Sequence, residues 1–89
     1  MARLDAGAHE TSNIGVAASA SDALFELGLM HCAGRDVEMS LVDAHKWFNL
    51  AAMRGNQEAK RYRMEIAREM SKAQIAEAQR RAREWLARH

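Results

Sequence analysis

The chain contains no proline, and this absence constrains its fold more than any other feature of the sequence. Folds built from many short strands need glycine- and proline-rich turns, but glycine is also sparse here, with five residues. Hydrophobic residues make up 48% of the chain and charged residues 28%, with many alanines. This composition is typical of a globular protein and favours helix throughout. We predict an all-α fold and expect no sheet-based enzyme.

The length allows one small domain. Eighty-nine residues bury only about 60% of the unfolded chain's surface, so stability is marginal. Cys32 is the single cysteine, so no intramolecular disulfide can form, and a reducing compartment is expected. No apolar run approaches the roughly 18 residues of a membrane span, and the first residues lack the apolar stretch expected of a signal peptide. These features predict a cytoplasmic location and no membrane partner.

The sequence divides into an N-terminal extension, residues 1–18, and a single helical domain, residues 19–89. The extension is mostly small and polar, with too few large apolar side chains to build a core. Ile14 and Val16 are the residues through which it could dock on the domain or on a neighbouring molecule. We interpret the extension as flexible or partner-docking.

Capping residues divide the domain into four predicted helices, at about 22–33, 41–54, 57–70 and 72–88. Each begins after a polar residue that suits an N-cap: Ser21, Ser40, Asn56 and Ser71. Gln74 supplies the second half of a capping box at the last helix. Gly34 and Gly55 follow the first two helices, where a glycine commonly ends a helix. We expect a helix–turn–helix unit, or α-hairpin, then a third helix and a C-terminal capping helix.

Apolar residues three and four positions apart give each helix one buried face. In the second helix, the aromatics Trp47 and Phe48 lie one turn from small alanines, which lets a neighbouring helix approach closely. Gly28 lies inside the first helix, where glycine costs about 1 kcal/mol relative to alanine. We interpret it as a close helix–helix contact. The inward positions expected on the last two helices are Ala59, Tyr62, Ile66, Ala67, Met70, Ile75, Ala78, Ala82, Trp85 and Leu86.

Residues 23–59 resemble one Sel-one-like repeat, a helix–turn–helix relative of the tetratricopeptide repeat. The positions that match form the expected repeat core: Ala23, Leu27, Gly28, Gly34, Val37, Trp47, Phe48, Ala51, Ala52, Gly55 and Ala59. The family usually has tyrosine where this chain has His31, and glycine where it has Asp36. It also usually has aspartate in place of Ser40 and lysine in place of Asp43. Residues 41–52 look like the variant in the last repeat of bacterial family members, and residues 70–79 with Trp85 look like the cap that follows.

The resemblance implies a non-catalytic protein–protein interaction module that acts as an adaptor or scaffold. About three repeats are normally needed for stability, because each buries its faces against its neighbours, whereas this chain has one repeat and a cap. The face of the first helix that would meet a preceding repeat should therefore be uncovered. We expect a second copy of the chain to cover it as a homodimer. The alternatives are the extension and a different protein partner. The expected partner-binding residues are Leu24, Leu27, His31, Met39 and Trp47.

Charge is unevenly distributed along the chain. Residues 1–53 carry three basic and seven acidic side chains, a net charge of −4, and residues 54–89 carry ten and five, a net charge of +5. This separation favours head-to-tail association or an acidic partner, unless the charges merely interleave on solvated helix faces. An alternative function is a nucleic-acid-associated accessory protein. No nucleic-acid motif is present, and the residues that would carry this function are Arg61, Arg68, Arg80, Arg81 and Arg88.

Little in the sequence could carry catalysis or bind a metal. His31 and Cys32 are adjacent, and adjacent helical side chains point about 100° apart, which is poor geometry for one zinc ion. A Cys–His nucleophile pair would also lack an oxyanion-hole element. We therefore expect no enzymatic activity, no cofactor, no metal and no small-molecule ligand.

Met39 and Met64 lie outside the apolar stripes and are the methionines expected at a partner surface.

Overall fold

The structure is a computed structural model that describes residues 20–89. Its helices are α1 (20–33), α2 (Leu41–Met53), α3 (Gln57–Ala67) and α4 (Lys72–Arg88). Residues 20–89 contain no strand, which confirms the predicted all-α fold. The expected extension, residues 1–18, lies outside the described part of the chain.

Side-chain caps begin α2, α3 and α4, as the sequence predicts. Ser40 Oγ and Asn56 Oδ1 accept hydrogen bonds from N–H groups in the first turns of α2 and α3, at 3.1 Å and 2.8 Å. At α4 the capping box is complete. Gln74 N donates to Ser71 Oγ at 3.0 Å, and Ser71 N donates to Gln74 Oε1 at 2.9 Å. These bonds satisfy N–H groups that the first turn of a helix leaves without an intrahelical acceptor.

Glycines end the first two helices, which confirms two predicted boundaries. Gly34 has φ +73° and Gly55 has φ +100°, both in the left-handed region that glycine adopts without steric cost. After α2, Asn56 N donates to Ala51 O at 3.0 Å and Gly55 N donates to Ala52 O at 3.0 Å. This pair of bonds is the Schellman pattern, which satisfies carbonyl groups at the end of a helix.

Two boundaries differ from the prediction. Residue 20 is already helical, so Ser21 lies inside α1 and is not its N-cap. The third helix ends at Ala67 and not at Met70. Beyond it, Glu69 N donates to Ile66 O at 3.0 Å and Met70 N donates to Ala67 O at 3.2 Å. These bonds to the third preceding residue tighten the chain into a turn, and Met70 is buried after it, with 9% of its surface exposed.

α2 is the central helix of the described fold. Phe48 is fully buried, and its ring centroid lies 5.7 Å from that of Phe25 on α1 and 5.5 Å from that of Tyr62 on α3. Small residues fill the close contacts between helices: Ala44, Ala51, Ala59, Ala78 and Ala82 are all buried. Large aromatics beside small alanines therefore do let the helices approach closely.

α4 packs on α2 in the same direction. Asp43 of α2 pairs with Arg81 of α4, and Trp47 contacts Trp85 one turn further along both helices. α1 and α3 are joined to α2 by the short connections 34–40 and 54–56, so they run antiparallel to it. α2 therefore has two antiparallel neighbours and one parallel neighbour.

The residues expected in the repeat core take several positions. Gly28, Phe48, Ala51 and Ala59 are buried; Leu27, Val37, Trp47 and Ala52 are half-buried; Gly34 and Gly55 are exposed at helix ends; and Ala23 is exposed. Ala23 corrects the expectation. Its neighbour Leu24 faces the core with 7% of its surface exposed, and the 100° step between helical residues takes Ala23 toward solvent.

The contact predicted at Gly28 is present, and its partner is Phe48. A methyl group on Gly28 would lie 2.5 Å from Phe48 Cδ1 and 3.0 Å from Cζ. The ring has little freedom to move away, because Phe25 and Tyr62 pack against it. Glycine at this position therefore sets how closely α1 can approach α2.

Gly28→Ala should destabilise the protein although alanine is the better helix former. Overpacking a filled core typically costs about 1–3 kcal/mol, which we expect to exceed the gain of about 1 kcal/mol in helix propensity. Urea unfolding followed by circular dichroism measures the change in the free energy of unfolding.

Phe48→Leu provides the control, because it removes the ring that the new methyl group would meet. In that background Gly28→Ala should be neutral or stabilising. An equal loss of stability in both backgrounds would show that the Gly28–Phe48 contact is not the cause.

Candidate interaction surface

The five expected partner-binding residues do not form one exposed surface. Leu24 is buried, Leu27 and His31 are half-buried, and Trp47 is half-buried. His31 Nδ1 lies 3.0 Å from Leu27 O, so its ring is held against its own helix. Met39 alone among the five is exposed, with 58% of its surface accessible. The connection between α1 and α2, residues 34–40, is therefore the exposed part of the expected site.

The exposed large hydrophobic side chains lie on different elements of the described chain: Met39, Met53, Tyr62, Met64 and Leu86. Met39 and Met64, the methionines expected at a partner surface, are both exposed. Leu86 was expected to face inward, yet 37% of its surface is exposed. Met53 was not singled out. The signal in the sequence that could have predicted its exposure is its position at the end of α2, outside the apolar stripe that contains Trp47 and Phe48.

An aromatic cluster joins α2 to α4. The ring of Trp85 meets Trp47 edge-on at 5.9 Å and stacks on His89 at 4.3 Å. Cations lie over both indoles. Lys46 Nζ is 4.0 Å from the centroid of a Trp47 ring, and Arg54 Cζ is 5.8 Å from that of Trp85. Cation–π contacts of this kind are favourable and add to the burial of the rings.

Beside this cluster lies a polar groove of about 230 Å³, here called the α2–α4 groove. It is lined by Asp43, Lys46, Arg80, Arg81, Glu84, Trp85 and Arg88. The parallel packing of α2 and α4 creates the groove, since it places the first turns of α2 beside the second half of α4. Four of its lining residues are basic and two are acidic.

Most of the arginines expected to contact nucleic acid are paired within the chain. Arg61 pairs with Glu58, Arg80 with Glu77 and Glu84, and Arg81 with Glu77 and Asp43. Hydrogen bonds from Arg80 and Arg81 lower the pKa of Glu77 to about 2. Within residues 20–89, Arg68 and Arg88 have no ion pair. Three of the five arginines expected to contact nucleic acid are therefore already engaged by carboxylates of the chain.

His45 is a buried polar residue that the sequence did not single out as such. Only 4% of its surface is exposed, and Nδ1 has no hydrogen-bond partner in the described chain. Burial lowers the pKa of His45, and the positive charge of Arg63 lowers it further. Arg63 is held nearby, because its guanidinium donates to Asn49 Oδ1. The structure thus favours a neutral imidazole at position 45.

Metal-ligating side chains are not clustered in the described residues. Cys32 is a free, half-buried thiol, and residues 20–89 contain no group of three His, Cys, Asp or Glu side chains that could hold a metal ion. Within the same residues, no helix has the length and apolar character required to span a bilayer.

Comparisons with family models, with curated proteins and with solved structures find no match to this chain.

The buried His45 predicts a pH dependence of stability. Its ordinary pKa is 6.5 and the pKa in the folded chain is lower, so below about pH 6.5 the unfolded chain binds more protons than the folded chain. The stabilisation is therefore fully present above pH 6.5 and is lost as the pH falls toward the folded pKa. Urea midpoints measured from pH 7.5 down to pH 5.5, a range in which the carboxylates stay ionised, should fall as the pH falls.

His45→Leu is the matched control, because it fills the buried site with an apolar side chain of similar size and removes the titrating group. The decrease should be smaller in this variant than in the wild type. The same pH dependence in both proteins would contradict the assignment to His45.

Proposed function

We propose that the chain is a non-catalytic protein–protein interaction module of the Sel-one-like type that self-associates through the uncovered part of its first helical hairpin. The observation that carries the proposal is the parallel packing of α4 on α2. Successive repeats are related by a small rotation and translation, so their corresponding helices run in the same direction. Asp43 with Arg81, and Trp47 with Trp85, give α2 and α4 a common direction, which supports the proposal.

Backbone geometry at the helix ends supports the same proposal. Asp36 has φ +64°, a left-handed conformation that glycine adopts freely, and glycine is the residue the family usually has there. Gly28 contacts Phe48 as a close-approach glycine should, and Gly55 ends α2 in the left-handed region. The proposal includes the bacterial type of repeat. It also includes a cytoplasmic location, which the free thiol of Cys32 supports.

The hairpin has exposed features that a second copy could contact. Met39 is exposed on the connection 34–40, and Glu26 and Ala33 are exposed on α1. Repeats require neighbours to bury their outer surfaces, and a second copy is the neighbour always present at equal concentration. The ion pairs that occupy Arg61, Arg80 and Arg81 favour this function over nucleic-acid binding.

Light scattering coupled to size-exclusion chromatography tests the proposal. At high protein concentration and low salt we expect a molar mass twice the 10.0 kDa of one chain, decreasing on dilution. A random-sequence DNA duplex serves as the comparison, and its fluorescence anisotropy should not change at physiological salt. The mass of a single chain at every concentration would reject self-association, and tight, salt-sensitive DNA binding would favour the nucleic-acid function.

A further inference from the structure

The α2–α4 groove has more positive charge than its own carboxylates neutralise. Arg81 Nη1 lies 2.9 Å from Asp43 Oδ1, whereas Lys46 Nζ lies 3.9 Å from the same oxygen. Arg80 occupies Glu84. Arg88 has no ion pair in the described chain. Lys46, with its longer contact to Asp43, and Arg88, with no ion pair in residues 20–89, are therefore the cations of the groove that its carboxylates neutralise least.

The state of Lys46 is consistent with this shortage of negative charge. Burial lowers its pKa, Asp43 raises it, and Arg81 lowers it again, with a net lowering. Because the attraction of Asp43 does not outweigh burial and the charge of Arg81, a further carboxylate beside Lys46 would stabilise its charged form. The groove is thus suited to a ligand that brings negative charge.

A short acidic segment fits the groove better than a polyanion. Glu77, Asp43 and Glu84 lie beside the cations, and a continuous phosphate backbone would meet their negative charge as well. Trp85 is half-buried in the groove, and the neighbouring Leu86 is 37% exposed. One or two carboxylates next to an apolar side chain would match both features.

The chain itself carries such a segment in the connection 34–40. Asp36, Glu38 and Met39 are all exposed there. The remaining charge, Arg35, is already paired with Glu26. Within residues 20–89, the connection therefore presents two carboxylates without an ion pair beside an exposed methionine.

The connection is also held in place before any contact forms. Gly34 N donates to Met30 O at 2.8 Å and Ser40 N donates to His31 O at 3.0 Å, which fixes both of its ends on α1. A segment ordered in advance loses little conformational entropy on binding. No ion pair joins the connection to the groove within residues 20–89, so neither surface neutralises the other in one copy.

Position in the fold allows the two surfaces to meet reciprocally. The connection leads directly into α2, whose first two turns carry Asp43 and Lys46 of the groove. A two-fold axis near the start of α2 would bring each connection to the groove of the other copy. Such an isologous contact closes on itself and uses the same two surfaces twice.

Resting on the self-association proposed above, we propose that two copies of this chain associate by placing the acidic connection 34–40 of each copy, with Glu38 and Met39, in the α2–α4 groove of the other, against Lys46, Arg88 and Trp85. The contact joins an acidic loop of one copy to the basic groove of its partner at two symmetric sites. Charge complementarity of this kind determines which partner and which register are selected.

A charge exchange tests this contact in the full-length protein. Glu38→Lys and Arg88→Glu each replace an attraction by a repulsion, and each should weaken dimerisation by about tenfold or more. The double variant, which carries both changes, restores opposite charges and should dimerise within about threefold of the wild type. An equimolar mixture of the two single variants should also form dimers, because each supplies what the other lacks. Sedimentation equilibrium measures the dissociation constants, and circular dichroism checks that each variant is folded.

Matched controls change the same charges elsewhere. Glu69→Lys and Lys72→Glu alter exposed residues that have no ion pair in residues 20–89 and lie near the start of α4, far along the helix from Arg88. Both variants should dimerise as the wild type does. If dimerisation is weakened equally in these controls, the effect depends only on net charge, and the assigned contact is overturned.

Further outcomes separate this contact from self-association itself. A wild-type dimer that tolerates both single variants would overturn the contact and leave the proposed function standing. A wild type that is monomeric at every concentration would overturn both. Replacing Ile14 and Val16 by serine should leave the dimer intact. A dimer lost only in that variant would assign the interface to residues 1–18 and overturn the contact.

Discussion

The packing of Phe48 against Gly28 is the contact on which the rest of the fold depends. A side chain at position 28 would overlap the ring. Because glycine has no side chain, α1 can approach α2 closely. The ring is then enclosed by Phe25 and Tyr62, whose own centroids are 5.3 Å apart. One phenyl ring thereby positions α1 and α3 against α2. In a domain this small, few other large side chains are fully buried to share that role.

The opposite side of α2 is organised by small side chains and paired charges. Ala78 and Ala82 of α4 are buried, so the helices pack closely and the edges of Trp47 and Trp85 fill the remaining space. The ion pair of Asp43 with Arg81 adds a polar contact at the rim of this interface. The groove proposed as a docking site is a consequence of the same packing, because the side chains that flank the alanines form its walls.

Local signals in the sequence predicted the helices well, because caps and glycines act over a few residues. Ser40, Asn56 and Ser71 start helices where expected, and Gly34 and Gly55 end them. Burial was harder to predict. Helical spacing places Ala23 and Leu24 on adjacent faces but does not say which face meets α2, and the end of α3 depends on the burial of Met70 by a tertiary contact. The residues expected to bind a partner do not form one exposed surface for the same reason, since the burial of Leu24 depends on its neighbours.

Both short-range and long-range pairs involve the basic residues of the last helix. Glu77 pairs with Arg80 and Arg81 within α4, as the interleaved spacing of acidic and basic residues allows, whereas the pair of Arg81 with Asp43, thirty-eight residues earlier, is one that no local pattern predicts. Asp43 with Arg81 is the ion pair within residues 20–89 that joins the acidic part of the chain to the basic part, and the other ion pairs lie within one part. Among the charged residues without an ion pair in residues 20–89 are Arg88 at the groove and Asp36 and Glu38 on the connection, while Lys46 keeps a 3.9 Å contact with Asp43. A few unpaired charges on ordered elements contribute more to the choice of partner than to overall affinity, as expected of a module whose function is to recognise one surface.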